Sequence, residues 1–252
     1  MLEFLFRNKK TPRPIFAGLK TDMHCHLLPM VDDGSKGMEE SISCLQTMER
    51  LGYRRVYLTP HFQYPRFDNR EEDILRLYED FKQQVSNAGL KIEVAGIGGE
   101  YRLDPDFLER KKGTKLLTIG DDNTMDAGYL LVELSLQHKF PGMLDIIREL
   151  QQEGYVVVLA HPERYPYLNM GGREIAALKE MGVLLQVNVL SLDGFYGEGV
   201  RKKAEYLLTH NYVEMLGSDT HNVLYAQGLV HASNNRKIEK LISNNNFLNI
   251  DL

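Results

Sequence analysis

The stretch Leu19-Lys20-Thr21-Asp22-Met23-His24-Cys25-His26 points to the fold class, because it combines a short strand with two closely spaced histidines. We place the strand over residues 19–23. Side chains alternate along a strand, so the spacing of His24 and His26 puts both imidazoles on one face. A single buried histidine is usually a hydrogen-bonded core residue. Two histidines on one face after an aspartate favour binding of a transition metal.

The same arrangement, a short apolar run that ends in histidine or a carboxylate, recurs as far as residue 221. The later members are Asp32-Asp33, His61 after residues 56–60, Glu100 after residues 92–99, Glu133 within residues 130–134, His161 after residues 156–160, and Asp219-Thr220-His221 after residues 213–218. In a barrel, the carboxyl ends of the strands meet at one face, so these distant segments can converge there. Histidine and carboxylate side chains together are what a hydrolytic metal site requires.

Strand and helix patterns alternate along the chain. We predict strands over residues 19–23, 55–59, 91–95, 129–134, 155–160, 183–187 and 213–217. We predict helices over residues 38–51, 71–85, 143–152, 173–181 and 199–208. Strands that alternate with helices of about 10 to 15 residues imply βαβ units and a parallel sheet. Seven or eight such units favour an α/β fold with a closed or nearly closed barrel over an open sheet.

The length and the charge of the chain exclude several classes of protein. With 252 residues and 43% hydrophobic content, the chain can bury one large core as a single domain. The net charge of −5 gives no electrostatic surface for nucleic acid or an anionic membrane. No apolar stretch approaches the roughly 20 residues of a transmembrane segment. Two cysteines, Cys25 and Cys44, cannot form a disulfide framework, so we expect a cytoplasmic protein.

Several of these residues also have ordinary structural explanations. Asp32-Asp33-Gly34 could form a turn, although its nearness to the histidine pair makes one carboxylate a candidate ligand. Glu100 follows a glycine-rich run, and a carboxylate can bridge two metal ions, which a neutral imidazole cannot do. Glu133 lies in an apolar strand, where a charge needs either a salt bridge or a metal. The guanidinium of Arg164 suits phosphate oxygens, and an ion pair with Glu163 is the alternative.

The ordered set of motifs resembles the PHP (polymerase and histidinol phosphatase) superfamily. It is most similar to the bacterial capsule-type branch of manganese-dependent protein tyrosine phosphatases, the CpsB/YwqE-like group. The stretches that carry the resemblance are Thr21-Asp22-Met23-His24-Cys25-His26-Leu27-Leu28-Pro29, Val31-Asp32-Asp33-Gly34, Thr59-Pro60-His61, Gly99-Glu100, Val132-Glu133-Leu134, Ala160-His161-Pro162-Glu163-Arg164-Tyr165 and Gly217-Ser218-Asp219-Thr220-His221-Asn222. They cover most of the chain in family order. Residues 1–18 then form an N-terminal extension, and residues 19–252 form a single catalytic domain.

The resemblance implies a distorted (β/α)7 TIM-like barrel of the PHP type, with three divalent metal ions at the carboxyl ends of its strands. Transferred position by position, the ligands of the three ions would be His24, His26, Glu100 and Asp219; then Glu100, Glu133 and His161; then Asp33, His61 and His221. Glu100 would bridge the first two ions. Arg164 matches the family's phosphate-binding arginine. Family members often carry another arginine soon after the Asp-x-His motif, and residues 222–227 contain none.

The resemblance further implies hydrolysis of phosphotyrosine by a hydroxide that bridges two metal ions, with Glu100 and Arg164 as catalytic residues. Manganese is the expected ion, and iron and zinc accept the same ligands. The expected substrate is a phosphotyrosine protein, namely a membrane tyrosine kinase of capsular or exopolysaccharide assembly. A small-molecule phosphomonoesterase of the histidinol-phosphatase type could use the same metals. The acidic chain disfavours a metal-dependent nuclease, and nine intact ligand positions disfavour a non-catalytic binding module.

Overall fold

The chain folds as alternating strands and helices, as the sequence predicts. The computed structural model describes residues 11–120 and 128–252. The strands are β1 (Thr21–Cys25), β2 (Arg55–Leu58), β3 (His61–Phe62), β4 (Glu93–Ile97), β5 (Glu100–Arg102), β6 (Tyr129–Glu133), β7 (Val156–Ala160), β8 (Leu184–Asn188) and β9 (Met215–Gly217). The helices are α1 (Met38–Arg50), α2 (Glu71–Asn87), α3 (Phe107–Arg110), α4 (Met143–Gln152), α5 (Arg173–Glu180), α6 (Val189–Leu192), α7 (Glu198–Thr209), α8 (Val223–Ala232) and α9 (Arg236–Asn244).

These strands form two parallel sheets. One sheet has the order β1-β2-β4, and the other has the order β3-β5-β6-β7-β8-β9. The pairings between neighbouring strands are parallel, which confirms the predicted α/β class. Backbone hydrogen bonds also join β1 to the segment after β9. Asp219 N donates to His24 O at 2.8 Å, and His26 N donates to Thr220 O at 2.9 Å.

The short strands β3 and β5 are additional to the sequence prediction. They contain two and three residues, which is too few for an alternating pattern to be recognised. Each begins at a candidate ligand, His61 or Glu100, and the two strands pair with each other. The predicted first strand, residues 19–23, begins two residues later and extends to Cys25. His24 therefore lies within β1 rather than after the strand.

The predicted helices match α1, α2, α4, α5 and α7 to within two residues at either end, whereas the short helices α3 and α6 and the longer α8 and α9 were not predicted. Helix α8 packs against both α1 and α6, and a helix covered on more than one side lacks a single apolar stripe. Helix α9 has buried residues Ile238 and Ile242 on one face. This spacing of four residues is a helical signal that is visible in the sequence.

The strands divide the hydrophobic core into two clusters. The smaller cluster contains Met23, Tyr57, Ile119, Leu131, Val158, Ala160, Met215 and Leu252. The larger cluster packs the strands against the helices and includes Leu130 and Val132. Because side chains alternate along β6, Glu133 leaves the strand on the same face as Leu131. The carboxylate of Glu133 therefore lies on the same side of the sheet as the smaller cluster, at the end of the strand.

None of the described helices is long and apolar enough to cross a membrane. Of the predicted N-terminal extension 1–18, residues 1–10 lie outside the described part of the chain. The segment Ile15–Gly18 forms a 3-10 helix. Its Phe16 is buried and stacks on Tyr53, with 5.0 Å between the ring centroids. The end of the predicted extension is therefore packed against the core.

Candidate metal centre

The structure brings the nine predicted ligands together. Eight of them fall into overlapping groups of three, and the ligand atoms within each group lie within 4.8 Å of one another. The groups are His26 with His61 and His221; His24 with His26 and Asp219; His24 with Glu100 and His161; and His61 with Glu100 and Glu133. The ninth residue, Asp33, lies at the edge of this cluster. Its Oδ1 is 3.5 Å from His61 Nε2 and 3.6 Å from His221 Nε2.

The parallel strands position three of these side chains at or just after their carboxyl ends. Glu133 ends β6, His161 follows β7, and Asp219 follows β9. His161 and Asp219 adopt left-handed backbone conformations, with φ of 36° and 52°. This conformation is unfavourable for a residue with a Cβ atom, and such residues are concentrated at functional sites. Here it occurs where the chain leaves a strand and places a side chain in the cluster.

Glu100 lies at the centre of the cluster. Its Oε2 is 3.2 Å from both His24 Nε2 and His26 Nε2, and 3.1 Å from His61 Nδ1. Its Oε1 is 2.9 Å from His161 Nε2. The side chain is completely buried. One carboxylate is therefore shared by four imidazoles from three segments of the chain.

Several polar atoms of the cluster are buried without a hydrogen-bond partner among the described residues. They include Glu100 Oε2, Glu133 Oε1 and His61 Nδ1. A buried polar atom without a partner costs about 1–3 kcal/mol. Oxygen and imidazole nitrogen lone pairs at this spacing are ligands for a divalent transition metal. The residues present therefore fit a metal centre.

A second layer of side chains orients the imidazoles. His24 Nδ1 lies 2.8 Å from Gln186 Oε1, and His26 Nδ1 lies 2.8 Å from Asp32 Oδ2. A proton on each Nδ1 leaves the Nε2 lone pair directed at the cluster, which is the usual arrangement of metal-binding histidines. Sequence reasoning missed Gln186 and its neighbour Asn188, whose Nδ2 donates to Asp219 Oδ2 at 2.7 Å. Two polar residues at alternate positions of the apolar strand β8 were the available signal.

Burial and neighbouring charges shift the pKa values of this cluster in opposite directions. Burial raises the pKa of Glu100, but the neighbouring His24 and His61 outweigh burial and hold this pKa well below its usual value. Burial lowers the pKa of His26, but the carboxylate of Asp32 and other acidic groups raise this pKa well above its usual value. Metal binding requires the neutral imidazole. Protons and metal ions therefore compete for these positions.

Arg164 pairs with the cluster rather than with Glu163. Its Nη1 donates to Asp219 Oδ2 at 2.8 Å, and its guanidinium lies 4.4 Å from the centroid of the Tyr196 ring. Glu163 is buried and accepts from Ser191 Oγ at 2.6 Å. The alternative of a surface ion pair between Arg164 and Glu163 is therefore wrong.

A cavity of about 200 Å³ opens beside the cluster. Three arginines line it, Arg66, Arg102 and Arg164, together with Tyr225. Sequence reasoning identified only Arg164. The spacing of Glu100 and Arg102 was a signal for the second arginine, because residues two apart in a strand share a face.

Comparisons with known proteins identify the family of the chain. The family model for capsular polysaccharide synthesis, CpsB/CapC, matches residues 20–246. The tyrosine-protein phosphatase YwqE of Bacillus subtilis is 27% identical over 202 residues, which cover 80% of this chain and 77% of that protein. The tyrosine-protein phosphatase CpsB of Streptococcus pneumoniae is 28% identical over 207 residues, which cover 80% of this chain and 83% of that protein.

Solved structures give the same result for the fold. Crystal structures of YwqE and CpsB, described as unique metal-dependent tyrosine phosphatases, include a chain that matches with a TM-score of 0.75 at 24% identity. This match covers 92% of the present chain and 94% of that chain. The lactonase Lmo2620 of Listeria monocytogenes matches with a TM-score of 0.53 at 14% identity, over 94% of each chain. The resemblance expected from the motifs is confirmed, and the chain belongs to the CpsB/CapC family of capsular polysaccharide synthesis.

Proposed function

We propose that this protein is a metal-dependent protein tyrosine phosphatase that regulates capsular or exopolysaccharide synthesis. The observation that carries the proposal is the position of Glu100, whose two carboxylate oxygens face four imidazoles. A carboxylate in this position can bridge two divalent ions, which is a common design of phosphatase centres. The relatives named tyrosine-protein phosphatases support the reaction class.

We further propose three divalent ions, with manganese as the physiological metal. The proposed ligands of the three ions are, in turn, His24, His26, Glu100 and Asp219; Glu100, Glu133 and His161; and Asp33, His61 and His221. Iron and zinc also accept mixed imidazole and carboxylate ligands. When bound, such ions lower the pKa of water towards neutrality and neutralise charge on the phosphoryl oxygens.

The chain's own side chains would position the phosphoryl group. Arg164 is fixed on one side by Asp219 and Tyr196, and its remaining N–H donors suit phosphate oxygens. Glu100 would fix the positions of the imidazoles and the metal ions relative to one another. The leaving group would be a tyrosine phenolate with a pKa of about 10, which needs less help from a general acid than an alkoxide does.

We also propose that the two sheets close into one distorted (β/α)7 barrel over residues 19–252, with residues 1–18 as an extension. In this arrangement β2 and β3 are two parts of one strand, and so are β4 and β5. The hydrogen bonds from Gly98 N to Leu58 O at 2.8 Å and from Glu100 N to Pro60 O at 3.0 Å support this continuity. The hydrogen bonds between β1 and the segment after β9 support closure.

The proposed substrate is a phosphotyrosine protein, namely a membrane tyrosine kinase of polysaccharide assembly, reached from the cytoplasm. The family's description as capsular polysaccharide synthesis and the phosphatase names of the relatives support this assignment. A net charge of −5 does not favour a nucleic-acid partner.

The substitution Glu100→Gln tests the proposed function, because it keeps the shape of the side chain and removes its charge. We expect bound metal and hydrolysis of a phosphotyrosine peptide to be lost together. Glu93→Gln on β4 is the matched control, because that side chain is 60% exposed and pairs with Arg55. Full turnover by the Glu100 variant would contradict the bridging role. Turnover of histidinol phosphate in preference to the peptide would instead indicate a small-molecule phosphatase.

A further inference from the structure

The three arginines of the cavity differ in how they are engaged. The side chain of Arg66 is 61% exposed and donates to Asp33 Oδ2 at 3.0 Å. The side chain of Arg164 is 20% exposed and donates to Asp219 Oδ2 at 2.8 Å. Arg102 is 16% exposed. It is therefore the least exposed of the three side chains. Its Nε has no hydrogen-bond partner among the described residues, whereas Arg66 and Arg164 each donate to a carboxylate.

The sheet places Arg102 beside the cluster. Arg102 follows Glu100 by two residues in β5, so both side chains leave the strand on one face. In the register of β5 against β6, Arg102 is the direct partner of Glu133. Arg102 Nε lies 3.4 Å from Glu133 Oε1, and both atoms are buried without a hydrogen-bond partner among the described residues. A buried guanidinium N–H without a hydrogen-bond partner is stabilised when a further anionic acceptor binds to it.

The residues that line the cavity, and its size, determine which anion could be that acceptor. Arg102 adjoins Glu133, which belongs to one potential metal group, and Arg164 adjoins Asp219, which belongs to another. Cations bound to these groups would neutralise both carboxylates and leave two guanidiniums beside the same cavity of about 200 Å³. A small anion with several equivalent oxygens matches two planar guanidiniums, each of which can donate two parallel hydrogen bonds. A phosphoryl group has this chemistry.

We infer that Arg102 is a second phosphate-binding residue of this site, and that Arg102 and Arg164 hold the phosphoryl group of a monoester between them. The inference deepens the proposed function and rests on it. Two residues of β5 then have different roles in the site. Glu100 serves the metal ions, and Arg102 serves the substrate phosphate.

Inorganic phosphate is the probe for this inference, measured by titration calorimetry on the full chain loaded with Mn²⁺. We expect Arg102→Gln to weaken phosphate binding roughly tenfold to a hundredfold, as for loss of a charge-assisted hydrogen bond. The number of Mn²⁺ ions bound, measured on the same samples, should stay the same. Arg102→Lys keeps the charge but not the planar fork, so it should restore part of the affinity.

Two further variants are the controls. Arg148→Gln on α4 removes an arginine that is 55% exposed and pairs with Asp145, and it should leave phosphate affinity unchanged. Arg66→Gln removes the exposed arginine of the same cavity, and its effect should be smaller than that of Arg102→Gln. A larger effect of Arg66→Gln would overturn the assignment to Arg102.

Other outcomes would also overturn the inference. Unchanged phosphate affinity in Arg102→Gln would do so directly. Loss of Mn²⁺ from this variant would show that Arg102 holds Glu133 in place instead. Failure of the parent protein to bind phosphate would overturn the inference, and hydrolysis of a phosphotyrosine peptide by the same protein would leave the proposed function intact. Weaker phosphate binding by Arg102→Gln, in a parent that hydrolyses no phosphotyrosine, would support Arg102 and contradict only the proposed function.

Discussion

Asp32 connects two ligand-bearing segments through one carboxylate. Its Oδ2 accepts from His26 Nδ1 at 2.8 Å and from the backbone N–H of His61 at 3.0 Å. Its Oδ1 accepts from the backbone N–H of Gly34 at 2.9 Å. The turn that the sequence suggested for Asp32-Asp33-Gly34 is therefore present, and the same carboxylate also orients His26. In this site one residue shapes a loop and fixes an imidazole.

The substitution Asp32→Asn tests this role at the residue scale. The amide keeps the size of the side chain but cannot match the charged acceptor for His26 Nδ1–H. We expect Mn²⁺ affinity to fall roughly tenfold to a hundredfold, as for other partners of metal-binding histidines. Titration calorimetry measures this affinity, and Asp68→Asn in the neighbouring exposed loop is the control. Equal affinity in the parent and the Asp32 variant would show that Asp32 is not required.

The sequence identified the residues that meet in the candidate metal centre, but it did not identify most of their hydrogen-bond partners. His24, Glu100 and Asp219 lie in motifs that follow one another in family order, which a single sequence reveals. Gln186 contacts His24 across 162 positions of sequence, and no local pattern specifies that pairing. The available sequence signal was the presence of polar residues at two alternate positions of the apolar strand β8.

At the scale of elements, the junction between β1 and β9 depends on a buried carboxylate. Asp22 is fully buried and accepts from Ser218 N at 2.8 Å and from Ser218 Oγ at 2.7 Å. Burial raises the pKa of Asp22 to about 6 from a usual value of 3.8, although the bonds from Ser218 lower it. The folded state therefore holds this proton more tightly than the unfolded chain. This group makes the protein less stable as pH rises from about 4 to about 6.

The substitution Ser218→Ala tests the junction in metal-free protein. It removes one donor to Asp22, so we expect a loss of about 1–3 kcal/mol in the free energy of unfolding near pH 8. The loss should be smaller near pH 4, where Asp22 is protonated. Urea unfolding at both pH values measures the difference. Ser43→Ala, on the exposed face of α1, is the control. An equal loss at both pH values would show that the charge of Asp22 is not involved.

The alternation of strands and helices was predictable because each long element carries its own periodic pattern. The short strands β3 and β5 are instead defined by their partners, since two or three residues have no usable period. Helix α8 packs against both α1 and α6, so it has no single polar face. These elements needed tertiary structure to be recognised.

At the scale of the whole molecule, the candidate metal centre couples folding to ion binding. Its candidate ligands come from segments that are far apart in the chain, from His24 to His221. An ion that binds only this folded arrangement stabilises the entire domain by mass action. The unpartnered atoms of Glu100 and Glu133 would gain a partner at the same time.

Thermal unfolding with and without Mn²⁺ tests this coupling. At a free concentration of about one hundred times the dissociation constant, one ion contributes about 2.7 kcal/mol. For a domain of this size we therefore expect the melting temperature to rise on the order of 5–10 °C. A chelator should reverse the rise, and Glu100→Gln should show little of it. An equal rise in the Glu100 variant would place the stabilising ion elsewhere.

The proposed function depends on a metal centre, organised by Glu100, at which phosphotyrosine would be hydrolysed. The most direct measurement is the rate of phosphotyrosine-peptide hydrolysis while metal-free protein is titrated with Mn²⁺. We expect no hydrolysis with chelator present, and a rate that rises with bound metal until three ions per chain are bound. Full hydrolysis in excess chelator, or no hydrolysis by fully metal-loaded protein, would contradict the proposed function.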